Sequence, residues 1–165
     1  MPIPEFVLRL REQVGTDPLW LPGVSAVVLD DDDRVLLGRR ADNGRWAVVS
    51  GILEPGEEPA PAAAREVLEE TGVEVEVVAL TAVSVSDRVL YPNGDRAQYL
   101  DLCFWCRAVG GEAQVGDDES TEVGWFPLDA LPKPLNPSSG PRIERTVAFV
   151  EAVRRGERPE AWFAR

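Results

Sequence analysis

Histidine is absent from this 165-residue chain. That absence removes the Ser-His-Asp and Cys-His nucleophilic systems and the His-Glu-x-x-His zinc motif, each of which needs an imidazole. Acid–base work falls instead to carboxylates, tyrosine, lysine or metal-bound water. Cysteine is nearly as scarce, with only Cys103 and Cys106. Without an imidazole to join them, two thiols cannot complete a tetrahedral N/S metal site. They lie in YLDLCFWCRAV, an alternating stretch in which positions three apart point to opposite faces of a strand. Two ordinary strand thiols are therefore expected, not a redox pair. Lys133 is the one lysine among 17 basic residues, and the formal net charge is −12. A chain this acidic lacks the basic density that a nucleic-acid backbone requires, so no nucleic-acid partner is expected. No apolar run reaches membrane-spanning length and no charged-then-apolar leader opens the chain. A cytoplasmic protein with no membrane partner is the expectation.

What is present reads as one domain over residues 1–165, with 44% hydrophobic residues and five tryptophans to build a core. Phe6, Val7, Leu10 and Val14 stand at helical spacing and predict an amphipathic helix over about 4–14. Strands are predicted at 24–29 and 34–37, joined by the aspartate turn at 30–33, and at 46–49. The segment 73–85 is strand-rich. Asn93-Gly94 suits a tight turn with positive φ, linking a strand that ends near Leu90 to one over about 97–108. A further short strand is predicted at 123–126. Beyond a proline-rich connection, a helix is predicted over about 141–155, with Ile143, Val147, Val150 and Val153 as its inner stripe. Helices alternating with strands in this way predict an α/β layered fold.

Between these elements lies the segment GILEPGEEPAPAAAREVLEETGV, residues 51–73. Pro59 and Pro61 are tolerable only in a first helical turn, and Gly72 suits a helix stop, so a helix to about Thr71 is predicted. Glu66, Glu69 and Glu70 are then spaced i, i+3, i+4 and project from one face, while Ala60, Ala64, Val67 and Leu68 should pack on a sheet. Three crowded anions repel, and a hard divalent cation would turn that repulsion into binding, because Mg²⁺ and Mn²⁺ take oxygen ligands. The acidity of the chain does not exclude small phosphorylated substrates, since bound metal ions invert the local field.

The positions Gly51, Glu57, Arg65-Glu66-Val67, Glu69-Glu70 and Gly72-Val73 match G-x5-E-x7-R-E-U-x-E-E-x-G-U, with U aliphatic. At average residue usage such a match arises by chance on the order of once per billion starting points. The segment resembles the signature box of the Nudix hydrolases, and it covers 23 of the 165 residues. That resemblance implies a mixed α/β/α sandwich. It also implies hydrolysis of a phosphoanhydride bond in a nucleoside diphosphate linked to another moiety, such as a nucleotide sugar like ADP-ribose, or in a nucleoside triphosphate.

The resemblance further implies a magnesium cofactor, with manganese as a substitute. Glu66 and Glu70 are the first-choice ligands, Glu69 joins directly or through water, and the Gly51 carbonyl completes the set. Arg65 and Glu57 are expected to orient those ligands rather than touch substrate. Glu69 and Glu119 are the candidate catalytic carboxylates, and the general base is sought in the acidic loop among Glu119, Asp118 and Glu122. Arg39, Arg40 and Arg45 flank the approach to the box and could clamp phosphates; Trp20, Tyr91, Trp105 and Phe126 could stack on a base or fill the core. Ser50-Gly51-Ile52 stands where many relatives read Pro-Gly-Gly, which bears on loop shape near the substrate. A homodimer is a further expectation. The alternative from another class is a nucleotide-sensing Nudix domain that has lost catalysis. The isomerase branch acting on isoprenyl diphosphates uses cysteine and histidine ligands, and is excluded by the missing histidine.

Overall fold

Alternation in the first long strand decides the layering. In β1 (Leu19–Leu29), Val24, Ala26 and Val28 belong to one buried cluster, while Val27 and Leu29 belong to another. Residues two apart share a face, so two separate cores lie on opposite sides of one sheet. The computed structural model describes residues 3–165. Its elements are α1 (Glu5–Val14), β1, β2 (Arg34–Arg40), β3 (Trp46–Ala47), β4 (Val49–Ile52), α2 (Pro59–Thr71), β5 (Val73–Val85), β6 (Val89–Leu90), β7 (Arg96–Gly111), β8 (Ser120–Pro127) and α3 (Ser139–Arg154). The sheet runs β3-β2-β1-β7-β5, with β4 paired to β1, β6 to β7 and β8 to β2. Only β1 and β7 run parallel; the other pairs are antiparallel.

Ala62, Ala63 and Val67 of α2 fill the cluster on one face. Ile143 and Val150 of α3 fill the cluster on the other, and Val7 of α1 packs with Leu21 and Ala97. The result is the α/β/α sandwich with a mixed sheet that the sequence predicts. Cys106 lies in the α2-side core and Cys103 in the α3-side core, both free and buried, as strand alternation requires.

Some boundaries differ from expectation. β1 begins five residues early, running through Pro22 and Gly23. At Pro22 its register partner is Leu100 of β7, and on the side where β4 joins from Gly23 onward its carbonyl accepts from Leu53 N at 3.2 Å, so a residue without an N–H can be accommodated. The predicted strand at 46–49 is two elements, with β4 entering the box itself. Leu68 is 50% exposed rather than packed on the sheet, and Val153 is 39% exposed. The buried polar Thr146 takes the inner position instead, hydroxyl to hydroxyl with Thr81 at 2.8 Å. Trp105 and Phe126 join the α3-side core, whereas Trp20 and Tyr91 remain exposed.

Candidate active site

The site starts where β4 meets the helix. Gly51 pairs with Val24 across the ladder, and a side chain at Gly51 would point at α2. A Cβ there would stand 2.1 Å from both Cδ and Oε1 of Glu66. Glycine is needed at 51 because the Glu66 carboxylate lies on its Cα. Glu66 is fully buried, and neither of its carboxylate oxygens makes a hydrogen bond. Arg65 Nη2 comes within 3.1 Å of Glu66 Oε1, an ion-pair distance whose alignment falls short of a hydrogen bond. Burying an anion without partners is costly. Burial accordingly pushes the Glu66 carboxyl up to about 7, and burial together with the Glu66 charge pushes Glu70 up to about 8.

These observations fit a hard divalent cation. Two buried glutamates of one helix face, both unfavourably ionised, offer hard oxygen donors with unmet demand for positive charge. The donors are not gathered, however. Among the described residues no three acidic, cysteine or histidine side chains stand close enough to share one ion. Glu69 explains part of this. Helical spacing predicts it beside Glu66 and Glu70, but it is an exposed residue whose Oε2 accepts from Arg65 Nη1 at 3.0 Å. The helix turns 100° per residue, so i+3 lies at the rim of the face that i and i+4 share.

Arg65 brackets the arrangement. Its Nε and Nη2 donate to Glu57 Oε1 and Oε2 at 2.8 and 3.0 Å, a bidentate pair that ties the box loop to the helix. The Arg65 guanidinium holds the Glu57 carboxyl below the usual glutamate range. One planar cation thus faces Glu57, Glu66 and Glu69 together.

The acidic loop reaches the helix through backbone caps. A helix leaves its last carbonyls without internal partners; here Gln114 N donates to Thr71 O and Gly116 N to Glu70 O, both at 3.0 Å. This anchors the residues after β7 at the end of α2 that carries Glu70. Glu70 and Glu119 then line one narrow pocket of about 10 Å³, together with Arg40, Val48 and Ser50. Asp117 lies close enough to raise the Glu70 carboxyl further. Asp118 is exposed. Glu122 faces Arg39 across the β2–β8 ladder and forms an ion pair with it, so both are structural partners at the sheet surface.

Of the three candidate phosphate clamps, the structure brings only Arg40 to the pocket. It is held bidentately by Asp42, at 2.9 Å for each contact. Arg45 is exposed, with its backbone N–H capped by Asn43. Trp20 lines a roomier cavity of about 350 Å³ with Arg88, Leu90 and Gln98, to which none of the box carboxylates contributes.

A profile of the NUDIX domain matches residues 19–146. The chain belongs to the Nudix family. Among its Nudix relatives, a MutT-like protein of Streptomyces ambofaciens is 41% identical over 120 residues, 73% of this chain and 72% of that protein. The 8-oxo-dGDP phosphatase NUDT18 of Mus musculus is 36% identical over 138 residues, 80% of this chain and 38% of that protein. The chain therefore spans little more than a third of the mouse protein. The crystal structure of a MutT NUDIX hydrolase from Burkholderia pseudomallei superposes with a TM-score of 0.61 at 28% identity, covering 77% of this chain and 98% of that one.

Sequence reasoning about the Nudix segment missed several parts of the site. Val48, Gly38 and Ser120 line the pocket but stand outside the box, with no spacing signal of their own. Gly116 was legible only as a glycine. A Cβ on it would lie 2.0 Å from Glu69 O, so it permits the loop to cross the end of α2.

Proposed function

We propose that this Nudix chain is a divalent-metal-dependent pyrophosphohydrolase that cuts a phosphoanhydride bond in a nucleoside diphosphate linked to another group. The observation that carries the reading is the buried Glu66 carboxylate, without a hydrogen bond and packed on Gly51, with Glu70 one turn along. Glu66, Glu70 and the Gly51 carbonyl would hold Mg²⁺ or Mn²⁺, with Glu69 joining directly or through water. The bound ion supplies charge neutralisation for the nonbridging and leaving oxygens of the phosphates.

The rest belongs to the chain itself. Arg65, braced by Glu57, keeps the helix carboxylates oriented. Arg40 sits beside Glu70 and is placed to contact a phosphate oxygen. Glu119, in the same pocket, takes a proton from the attacking water. It is preferred over Glu69 and Glu122 because it lines the pocket with Glu70 and they do not. The similarity to an 8-oxo-dGDP phosphatase supports a small nucleotide substrate.

The test is product release from a panel of nucleoside triphosphates and nucleoside diphosphate sugars with Mg²⁺, comparing the wild-type chain with Glu70→Gln. The variant should lose about a hundredfold or more in kcat/KM. A wild type inert on the whole panel, or a variant as active as wild type, would sink the assignment.

A further inference from the structure

The sheet face shared by α1 and α3 changes character halfway along. Beneath α1 it is apolar, with Leu19, Leu21, Ala97 and Ile52. Beneath α3 it is apolar again, with Val27, Leu29, Cys103 and Val48. Between the two, the same face carries small or polar residues: Gly23 and Ser25 on β1, Ser50 on β4, and Tyr99 and Asp101 on β7. They are neighbours in register, since Gly23 pairs with Asp101, Ser25 with Ser50, and Leu21 with Tyr99. Ser50 is exposed and also lines the pocket that holds Glu70 and Glu119. The polar band is therefore continuous with the candidate active site.

One charged residue reaches into this band from the first turn of α3. Arg142 Nε donates to Asp101 Oδ2 and Nη1 to Ser138 Oγ, each at 3.0 Å. The other oxygen of Asp101 accepts from Ser25 Oγ at 2.6 Å. Asp101 is 3% exposed and Ser25 not at all, while the Arg142 side chain keeps 15%. Arg142 Nη2 makes no hydrogen bond among the described residues. Stability does not account for the arrangement. A buried ion pair is commonly no better than apolar residues of the same volume, and α3 is already docked through Ile143, Val147 and Val150.

We propose that Arg142, aimed by Asp101, is a specificity-determining residue that donates from Nη2 to a keto oxygen of the substrate's base. This rests on the pyrophosphohydrolase reading above. Asp101 cancels the charge of the guanidinium but fixes its direction, so the pair offers an oriented donor without net charge. That suits a neutral acceptor better than a phosphate. Tyr99, two residues before Asp101 on the same face of β7, has its ring against Gly23, within 3.6 Å of where a Cβ would stand, and bounds the band on the α1 side.

The test is equilibrium binding of ADP, CDP, GDP and UDP to the 165-residue chain in Mg²⁺ buffer. ADP, whose base has no keto oxygen, should bind more weakly than the best keto-bearing nucleotide by about tenfold or more, the scale of a hydrogen bond to a charged group. Arg142→Met combined with Asp101→Asn, which leaves no buried charge behind, should narrow that ratio to about threefold or less while thermal unfolding stays cooperative. Arg142→Lys should not restore it, since an ammonium lacks the directed fork. ADP binding as tightly as the best nucleotide, or an equal loss on all four nucleotides that lysine rescues, would overturn the inference. Hydrolysis plays no part in this readout. A chain that shows the keto preference but releases no product would overturn the activity reading and leave this one standing.

Discussion

Gly51 and Glu66 occupy one space between them, and that pairing places the chemistry. A Cβ at position 51 would coincide with the Glu66 carboxyl carbon to within 2.1 Å. Gly51→Ala should therefore displace Glu66 from the strand, lowering metal affinity by about tenfold or more and costing about 1–3 kcal/mol through overpacking. A Mg²⁺ titration and thermal unfolding of the same variant check the two effects separately; an unchanged titration would mean that the carboxylate does not depend on this contact. Glu66 and Glu70 were legible from the chain alone, because spacing reports which positions share a helix face, while Gly51 was legible only through the resemblance to the Nudix box. The splitting away of Glu69 was not. It depends on where Arg65 finds its partners, and Glu57 comes from a loop eight residues earlier.

The helix α2 is inverted from its sequence reading in one respect. Its buried residues are Ala62, Ala63, Glu66, Val67, Glu70 and Thr71, so Glu66 and Glu70 face inward while Glu69 and Leu68 face solvent. Leu68→Gln should thus change stability by no more than about 0.5 kcal/mol, while Val67→Ala should cost about 2 kcal/mol. Denaturant midpoints of the two variants distinguish this orientation from one with Leu68 in the core. The ends of the helix were readable locally. Pro59 and Pro61 occupy its first turn, and Gly72 takes φ 68° with its N–H on Leu68 O. Its final carbonyls were not, since their partners, Gln114 and Gly116, arrive from beyond the 16-residue strand β7.

For the molecule as a whole, the two buried carboxyls set a pH dependence. Glu66 and Glu70 are raised to about 7 and about 8 from the ordinary glutamate value of 4.5. The folded state therefore holds these protons more tightly than the unfolded state. Their contribution to stability is fully present below about 4.5 and is lost as pH climbs through 7 and 8. Asp33, Asp42 and Glu57 are lowered instead, and their stabilisation is already complete above the ordinary carboxylate range. The metal-free protein should accordingly lose several degrees of Tm between pH 5 and 8.5, at roughly 2–4 °C per kcal/mol for a domain of this size. Glu70→Gln should flatten that slope, and Mg²⁺ at pH 8 should reverse it with release of protons. A metal-free Tm that rises over this range would contradict the inward burial of the pair. Charge, by contrast, was open to counting: at −12 the chain is dominated by carboxylates, and among the described residues no helix is long and apolar enough to cross a membrane.

The sequence by itself determined the family, the layered α/β architecture, the helix that carries the glutamates and the absence of imidazole chemistry. The family follows from the resemblance of residues 51–73 to the Nudix box, and the others from periodicity, spacing or composition, which act over one or two turns of chain. Only the tertiary structure decided that Glu66 is buried without a hydrogen bond, which arginine of three stands at the pocket, and that the loop at 117–122 meets Glu70. Those outcomes depend on contacts between separate elements, such as β4 with α2 and the 117–122 loop with the end of α2, where desolvation and cross-strand register act and local pattern carries no signal.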